Sequence, residues 1–174
     1  MIDMPRLPIE VRRERAGDFA PVRALLIDAF AGTSEADLVD VLRANDEIVM
    51  ALVAERMPAI VVGYAVFIRL LIETATATVP AIGLAPIAVA ASVRRRGVGG
   101  TLVRDGLTLL AERGEQLVFV LGDPAYYRRF GFDVAAAAPF VSRYAGAHFM
   151  VYRMTQTAPT KGTVRYPAAF AGLN

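Results

Sequence analysis

Residues 87–101 read IAVAASVRRRGVGGT, and this stretch decides the fold. An apolar run that reads as a buried strand leads into Arg94, Arg95 and Arg96, then into Gly97, Val98, Gly99 and Gly100. Leu102, Val103, Leu107, Leu109 and Leu110 follow at helical spacing, which predicts a helix over 101–113. Glycines let the backbone turn tightly and approach a ligand closely. Unpaired N–H groups at a helix start, at the positive end of its dipole, make an anion site. With three arginines beside it, such a turn suits a pyrophosphate or a phosphate cluster. Two other phosphate loops are excluded. A Walker loop needs a lysine after its last glycine, and the single lysine is Lys161. A dinucleotide fingerprint needs Gly or Ala where Leu102 stands. The competing reading is structural: a strand-to-helix turn beside a solvated arginine run.

Beyond the helix, 117–121 reads as a short buried strand, followed by LGDPAYYRRFGF over 121–132. Asp123 suits an N-cap, Pro124 a first helical position and Gly131 a helix end, so 123–130 reads as a short helix. Tyr126 and Tyr127 lie on it. A tyrosine with its ordinary pKa near 10 holds its proton at neutral pH and can donate it. Two amphipathic residues at the edge of a core fit as well. A last strand follows at 149–154, and the tail 155–174, with Pro159, Gly162, Pro167 and Gly172, reads as irregular.

On the N-terminal side, 82–89 is the buried strand itself, preceded by a Thr- and Ala-rich loop over 73–80. The runs 47–54 and 59–68, separated by four residues, read as a hairpin. Val22, Leu25, Leu26, Ala29 and Phe30 repeat at helical spacing after Asp18 as N-cap, with Gly32 as the stop. Ser34 and Asp37 suggest a short capping box for a second helix to about Ala44. Ile9, Val11 and Arg13 alternate with polar neighbours as a first edge strand would. Strands first, then strand–helix–strand–helix, imply an α/β domain on a mixed sheet.

Composition bounds the rest. The chain has 174 residues, 55% hydrophobic and 21% charged, enough for one sizeable core and too apolar for disorder. It has no cysteine, which excludes disulfides, thiolate metal sites and a Cys nucleophile. The single histidine, His148, argues against a His-based metal site or a Ser–His–Asp triad and reads as structural. A net charge of +2 and the lack of a basic face with interleaved aromatics argue against nucleic acid. The start, MIDMPRLPIE, carries no apolar leader, and 74–93 is broken by Pro80, Gly83 and Pro86. The expectation is therefore a cytoplasmic protein without a membrane segment.

The two central stretches together resemble the GNAT acetyltransferase superfamily. Its first mark, [Q/R]xxGx[G/A] after a strand, stands here as Arg94, Gly97 and Gly99. Its second, an aromatic and a tyrosine before a Gly–Phe pair, stands as Tyr126, Tyr127, Gly131 and Phe132, one helix and one strand further on. The firm resemblance covers 82–132. A weaker one to a bacterial subgroup covers 10–43, with Glu35, Leu38, Leu42 and Arg43, and the tail motif GTVRYP at 162–167 with Phe170.

The resemblance implies a mostly antiparallel mixed sheet splayed between two strands, with helices on both faces. The domain would span 1–154, with the tail 155–174 packed on it. The implied activity is acetyl-CoA-dependent N-acyltransfer to a primary amine by direct attack in a ternary complex. A non-catalytic acyl-CoA-binding module of the same fold is the alternative, and a homodimer is the oligomer the family suggests. Ile87, Ala88 and Val89 would hold the acetyl and pantetheine groups. Arg94, Arg95, Arg96, Gly97, Val98, Gly99, Gly100 and Thr101 would hold the pyrophosphate, and no metal is implied. Tyr127 would protonate the departing thiolate and also touch the cofactor. Phe30 and Glu35 are candidates for the acceptor side, Glu35 as a base, with Glu73 a weaker one. Tyr64 and Phe67 read as core. The sequence departs from the family at Ala91, where proline is common, and at Val120, where an asparagine often contacts pantetheine.

Overall fold

The computed structural model describes residues 8–172. The N-terminal stretch read as lacking a leader thus lies mostly outside the described residues. An eight-stranded sheet carries the fold, with four strands alternating in direction along β1(Ile9–Arg13), β2(Ile48–Arg56), β3(Ile60–Glu73) and β4(Thr78–Val89). β4 pairs in parallel with β5(Leu117–Leu121), and β5 pairs antiparallel with β7(Phe149–Arg153). β1 lies at the edge of the sheet, as its alternation predicts.

β3 and β4 are longer than their apolar runs. They continue through Glu73 and from Thr78, so the expected loop shrinks to a turn closed by Thr74 and Ala77. The tail is the larger correction. It holds β8(Gly162–Arg165), which takes the edge of β3 beyond the point where β2 leaves it, pairing Ile72 with Val164. β6(Phe140–Val141) lies parallel beside β8. Such short strands have no periodicity of their own; the exposed edge of β3 orders them.

Alternation along β3 divides the core in two. Tyr64, Val66 and Ile68 face α1(Phe19–Phe30) and α2(Ser34–Ala44), whereas Ala65 and Phe67 face α3(Val98–Glu112). Tyr64 and Phe67 are fully buried, as expected of core residues. Both glycines at the α3 contact are set by sterics. A Cβ on Gly106 would overlap the Phe67 ring, and one on Gly63 would press on Val98 and Leu102.

Helix ends deviate from the sequence reading. Ala31, not Gly32, takes the left-handed position after α1. Asp18 does not cap α1 with its side chain, because its carboxylate is bound by Arg12 and the Arg15 N–H. The Ser34–Asp37 box does not form, since Thr33 is the N-cap and Asp37 faces Arg23 on α1. No described helix is long and apolar enough to cross a membrane.

Candidate active site

The site is made where β4 and β5 part. Their parallel pairing runs Ile82 with Val118, Gly83 with Phe119 and Leu84 with Val120, then stops. Pro86 follows, with no N–H to offer a neighbouring strand, and the β3–β4 register shifts there. From Ile87 to Val89, β4 pairs only with β3. The Ala90 N–H donates to Val62 of β3 at 2.8 Å. Backbone polarity alternates along a strand, so the N–H groups of Ile87 and Val89 point the other way, into the gap. Ala88 between them buries its side chain toward α1. The Val89 carbonyl accepts from Arg94 Nε at 3.0 Å, which spends one arginine on the loop itself.

Past Val89 the chain turns into α3. Gly97 is the N-cap, at φ +80°, where a side chain would be strained. The N–H groups of Val98, Gly99 and Gly100 have no acceptor within the helix. Thr101 is different: its N–H and hydroxyl both go to the Gly97 carbonyl, at 3.0 and 3.1 Å. The helix starts three residues earlier than its apolar spacing suggests, which removes Thr101 from the anion-binding set.

A cavity of about 560 Å³ opens over these amides. Val89 borders it on one side, and Arg94, Arg95, Arg104 and Arg129 surround it, with no carboxylate among the described residues that line it. Arg96 is exposed and does not line it. Arg104 and Arg129 were not found from the sequence, and Tyr126 was read there as part of the tyrosine motif without a place in this cavity. Arg104 lies one helical turn beyond Gly100, a spacing that carries the signal. Arg129 is brought in by the short helix α4(Pro124–Tyr127) and the 3₁₀ turn after it. It donates from Nε to the Tyr126 carbonyl at 2.8 Å and lies over the Tyr126 ring at 4.3 Å. Arg104 and Arg129 also border an adjoining cavity of about 550 Å³ along α3.

The capping expected of α4 is present: Asp123 accepts from the Ala125 N–H, Pro124 opens the helix and Gly131 is left-handed at φ +97°. This sets the Tyr127 ring against Gly122, edge-on to Tyr126 and Phe132. Tyr127 is 7% exposed and joins the same core layer as Leu84 and Val120, the last pair before the gap. Burial, with a smaller contribution from Tyr126, pushes its hydroxyl up to about 12. His148 sits outside this layer, with Nδ1 3.1 Å from the Gly122 carbonyl, a structural contact.

On the other face, a cavity of about 360 Å³ lies over the gap, between Leu84, Ala85, Val120 and the tail residues Tyr166 and Phe170. Phe30 and Glu35 line neither cavity. Phe30 ends α1 at 41% exposure, and Glu35 lies on the first turn of α2. Glu73 is held by Arg165 at 2.8 Å, joining β3 to β8. None of the carboxylates considered as a base is at the gap. Among the described residues no group of three or more His, Cys, Asp or Glu side chains could hold a metal ion.

Residues 10–135, which contain the strand gap and the arginine-lined helix start, match the family model of the acetyltransferase (GNAT) domain. The chain belongs to the GNAT acetyltransferase family. It is 35% identical over 164 residues to the uncharacterised N-acetyltransferase YhbS of Escherichia coli, covering 92% of this chain and 97% of that one. The crystal structure of E. coli YhbS in complex with CoA matches with a TM-score of 0.89 at 32% identity, over 100% of this chain and 98% of that chain. A GNAT acetyltransferase from Brucella melitensis in complex with acetyl-CoA matches with a TM-score of 0.79 at 33% identity, over 94% and 98%. The mixed, mostly antiparallel sheet with helices on both faces is thus the GNAT fold that the resemblance implied.

Proposed function

We propose that this GNAT protein transfers acetyl from acetyl-CoA to a primary amine by direct attack. One observation carries the reading: the inward N–H groups of Ile87 and Val89 lie along one strand from the α3 amides and their arginines. A pantetheine arm in the gap would hydrogen-bond to β4 as a substitute strand. Its pyrophosphate would take the N–H groups of Val98, Gly99 and Gly100, with Arg95 beside them. The relatives solved with CoA and acetyl-CoA support the cosubstrate.

In the step itself, a neutral amine attacks the thioester carbon. The oxygen takes up negative charge, which the Ile87 N–H, the inward amide nearer Ala85, can stabilise. The C–S bond then breaks. With its pKa pushed up to about 12, Tyr127 keeps its proton at any working pH. Full transfer to a thiolate whose acid has a pKa near 8.5 runs uphill by roughly 4–5 kcal/mol. Tyr127 therefore acts as a hydrogen-bond donor to the leaving sulfur, which takes its proton from solvent. The amine nitrogen gives one proton to water, since among the described residues no carboxylate lines either cavity at the gap.

Calorimetric titration with acetyl-CoA, CoA and ATP at physiological salt tests the cosubstrate. Binding of both CoA species with ATP much weaker is expected; equal binding of ATP, or no binding of acetyl-CoA, would overturn it.

A further inference from the structure

We propose that the cavity opposite α3 receives the acceptor, and that the acceptor is an amine on an uncharged, apolar or aromatic body. The inference rests on the acetyl-transfer reading above and adds its substrate class. The first observation is position. The two cavities lie on opposite faces of the same gap: one against α3, the other against the tail. Ala85 and Val89 border them four residues apart on β4, about 13 Å along a strand. An extended pantetheine arm covers that span. A donor entering from the α3 side presents its thioester at the floor of the second cavity, and the attacking amine must come from there.

The second observation is the lining. Among the described residues no Asp, Glu, Lys or Arg borders this cavity. Phe119 and Ile68 form its base, and Tyr144, Tyr166 and Phe170 its wall, with Tyr144 edge-on to Tyr166 at 4.8 Å. A polyamine or a lysine-rich peptide would leave ammonium groups unpaired there, and an amino acid would leave its carboxylate unpaired. An aromatic or aliphatic body loses nothing by entering. At about 360 Å³ the space equals that of a dozen water molecules, which suits one ring and a short arm. The third observation is the mouth. Leu121, the last residue of β5, lines the cavity at 52% exposure, an apolar side chain held in water at the entrance.

The test uses the full chain with saturating acetyl-CoA, following thiol release with 2-phenylethylamine, hexylamine, spermidine and lysine. The two apolar amines are expected to exceed spermidine and lysine at least tenfold in kcat/KM. Leu121→Glu, a change at an exposed position, should lower the 2-phenylethylamine value about tenfold and raise that of spermidine, with CoA affinity unchanged. Equal or better use of spermidine or lysine by the unaltered protein would overturn the proposal. So would a preference for hexanoyl-CoA over acetyl-CoA with no discrimination among amines, since the donor's chain would then fill the cavity. Calorimetry with each amine on the free protein separates the two readings. Loss of CoA binding alone overturns the cosubstrate, while 2-phenylethylamine binding that Leu121→Glu weakens still supports the cavity, and its absence overturns it.

Discussion

Tyr127 shows how much one residue's environment decides. As a free side chain it would begin to ionise near pH 10. Packed among Tyr126, Phe130 and Phe132, it stays protonated to about 12. The expected result for Tyr127→Phe is a 10–100-fold fall in kcat with the acetyl-CoA dissociation constant unchanged, read by steady-state kinetics beside calorimetry. The kcat profile of the unaltered protein should show no alkaline limb from this residue below about pH 12. Unchanged turnover with chemistry rate-limiting would remove Tyr127 from the mechanism. The residue itself was legible in the sequence through its place before Gly131 and Phe132. Its burial was not, because the core layer that closes around it, with Leu84 and Met150, is assembled only by the fold.

Helix α3 and the segment around α4 show the same division at the scale of elements. The turn 94–100 announced itself by composition, and the amides of Val98, Gly99 and Gly100 sit where that composition suggests. The convergence of Arg104 and Arg129 on one cavity did not, since they lie on different elements. Charge-assisted contacts contribute about 1.5–3 kcal/mol each. Arg129→Ala should therefore weaken CoA binding about tenfold or more, read by calorimetry; unchanged affinity would place Arg129 away from the bound anion. The seat of α3 on the sheet gives a stability prediction. Gly106→Ala forces a methyl into the Phe67 ring, an overpacking cost of about 1–3 kcal/mol, against which better helix propensity returns up to about 1 kcal/mol. A net loss of about 1 kcal/mol should lower Tm by about 2–4 °C, measured by calorimetric melting. No loss would mean that α3 can lift from β3 freely.

Across the whole molecule, ion pairs join pieces distant in sequence. Arg12 on β1 binds Asp18 ahead of α1 at 2.7 and 2.9 Å and Glu55 on β2 at 2.7 Å. The Arg12 guanidinium and the Arg15 N–H hold the Asp18 carboxyl below the usual range. A depressed carboxylate stabilises the fold above its unfolded pKa, near 3.9, and that share is lost as pH falls through the folded value. Glu14 runs the other way. Buried beside Arg43 at 2.8 Å and under Tyr64, its carboxyl is raised by desolvation, so it favours the fold on acidification. Comparing Asp18→Asn with the unaltered protein isolates the first effect. The variant should be about 1–3 kcal/mol less stable at pH 7 by urea unfolding, with the gap closing as pH falls below the unfolded value near 3.9 and through the depressed folded one. A gap that persists at low pH would assign the loss to packing.

The sequence by itself determined what is local. Periodicity placed the long strands and α1 to α3, glycine and proline placed the turns, and two short motifs placed the arginine–glycine loop and the tyrosine proposed to act beside it. These readings depend on contacts within a few residues. The tertiary structure decided the rest. The β4–β5 gap depends on which strands become neighbours. β8 exists only because β3 outruns β2 and leaves an edge to pair. Asp18 and Asp37 lost their expected caps because a guanidinium from another element binds each carboxylate more strongly than a single N–H does. The second cavity needs the tail folded over the gap, and a tail of short, mixed residues carries no period that would foretell it.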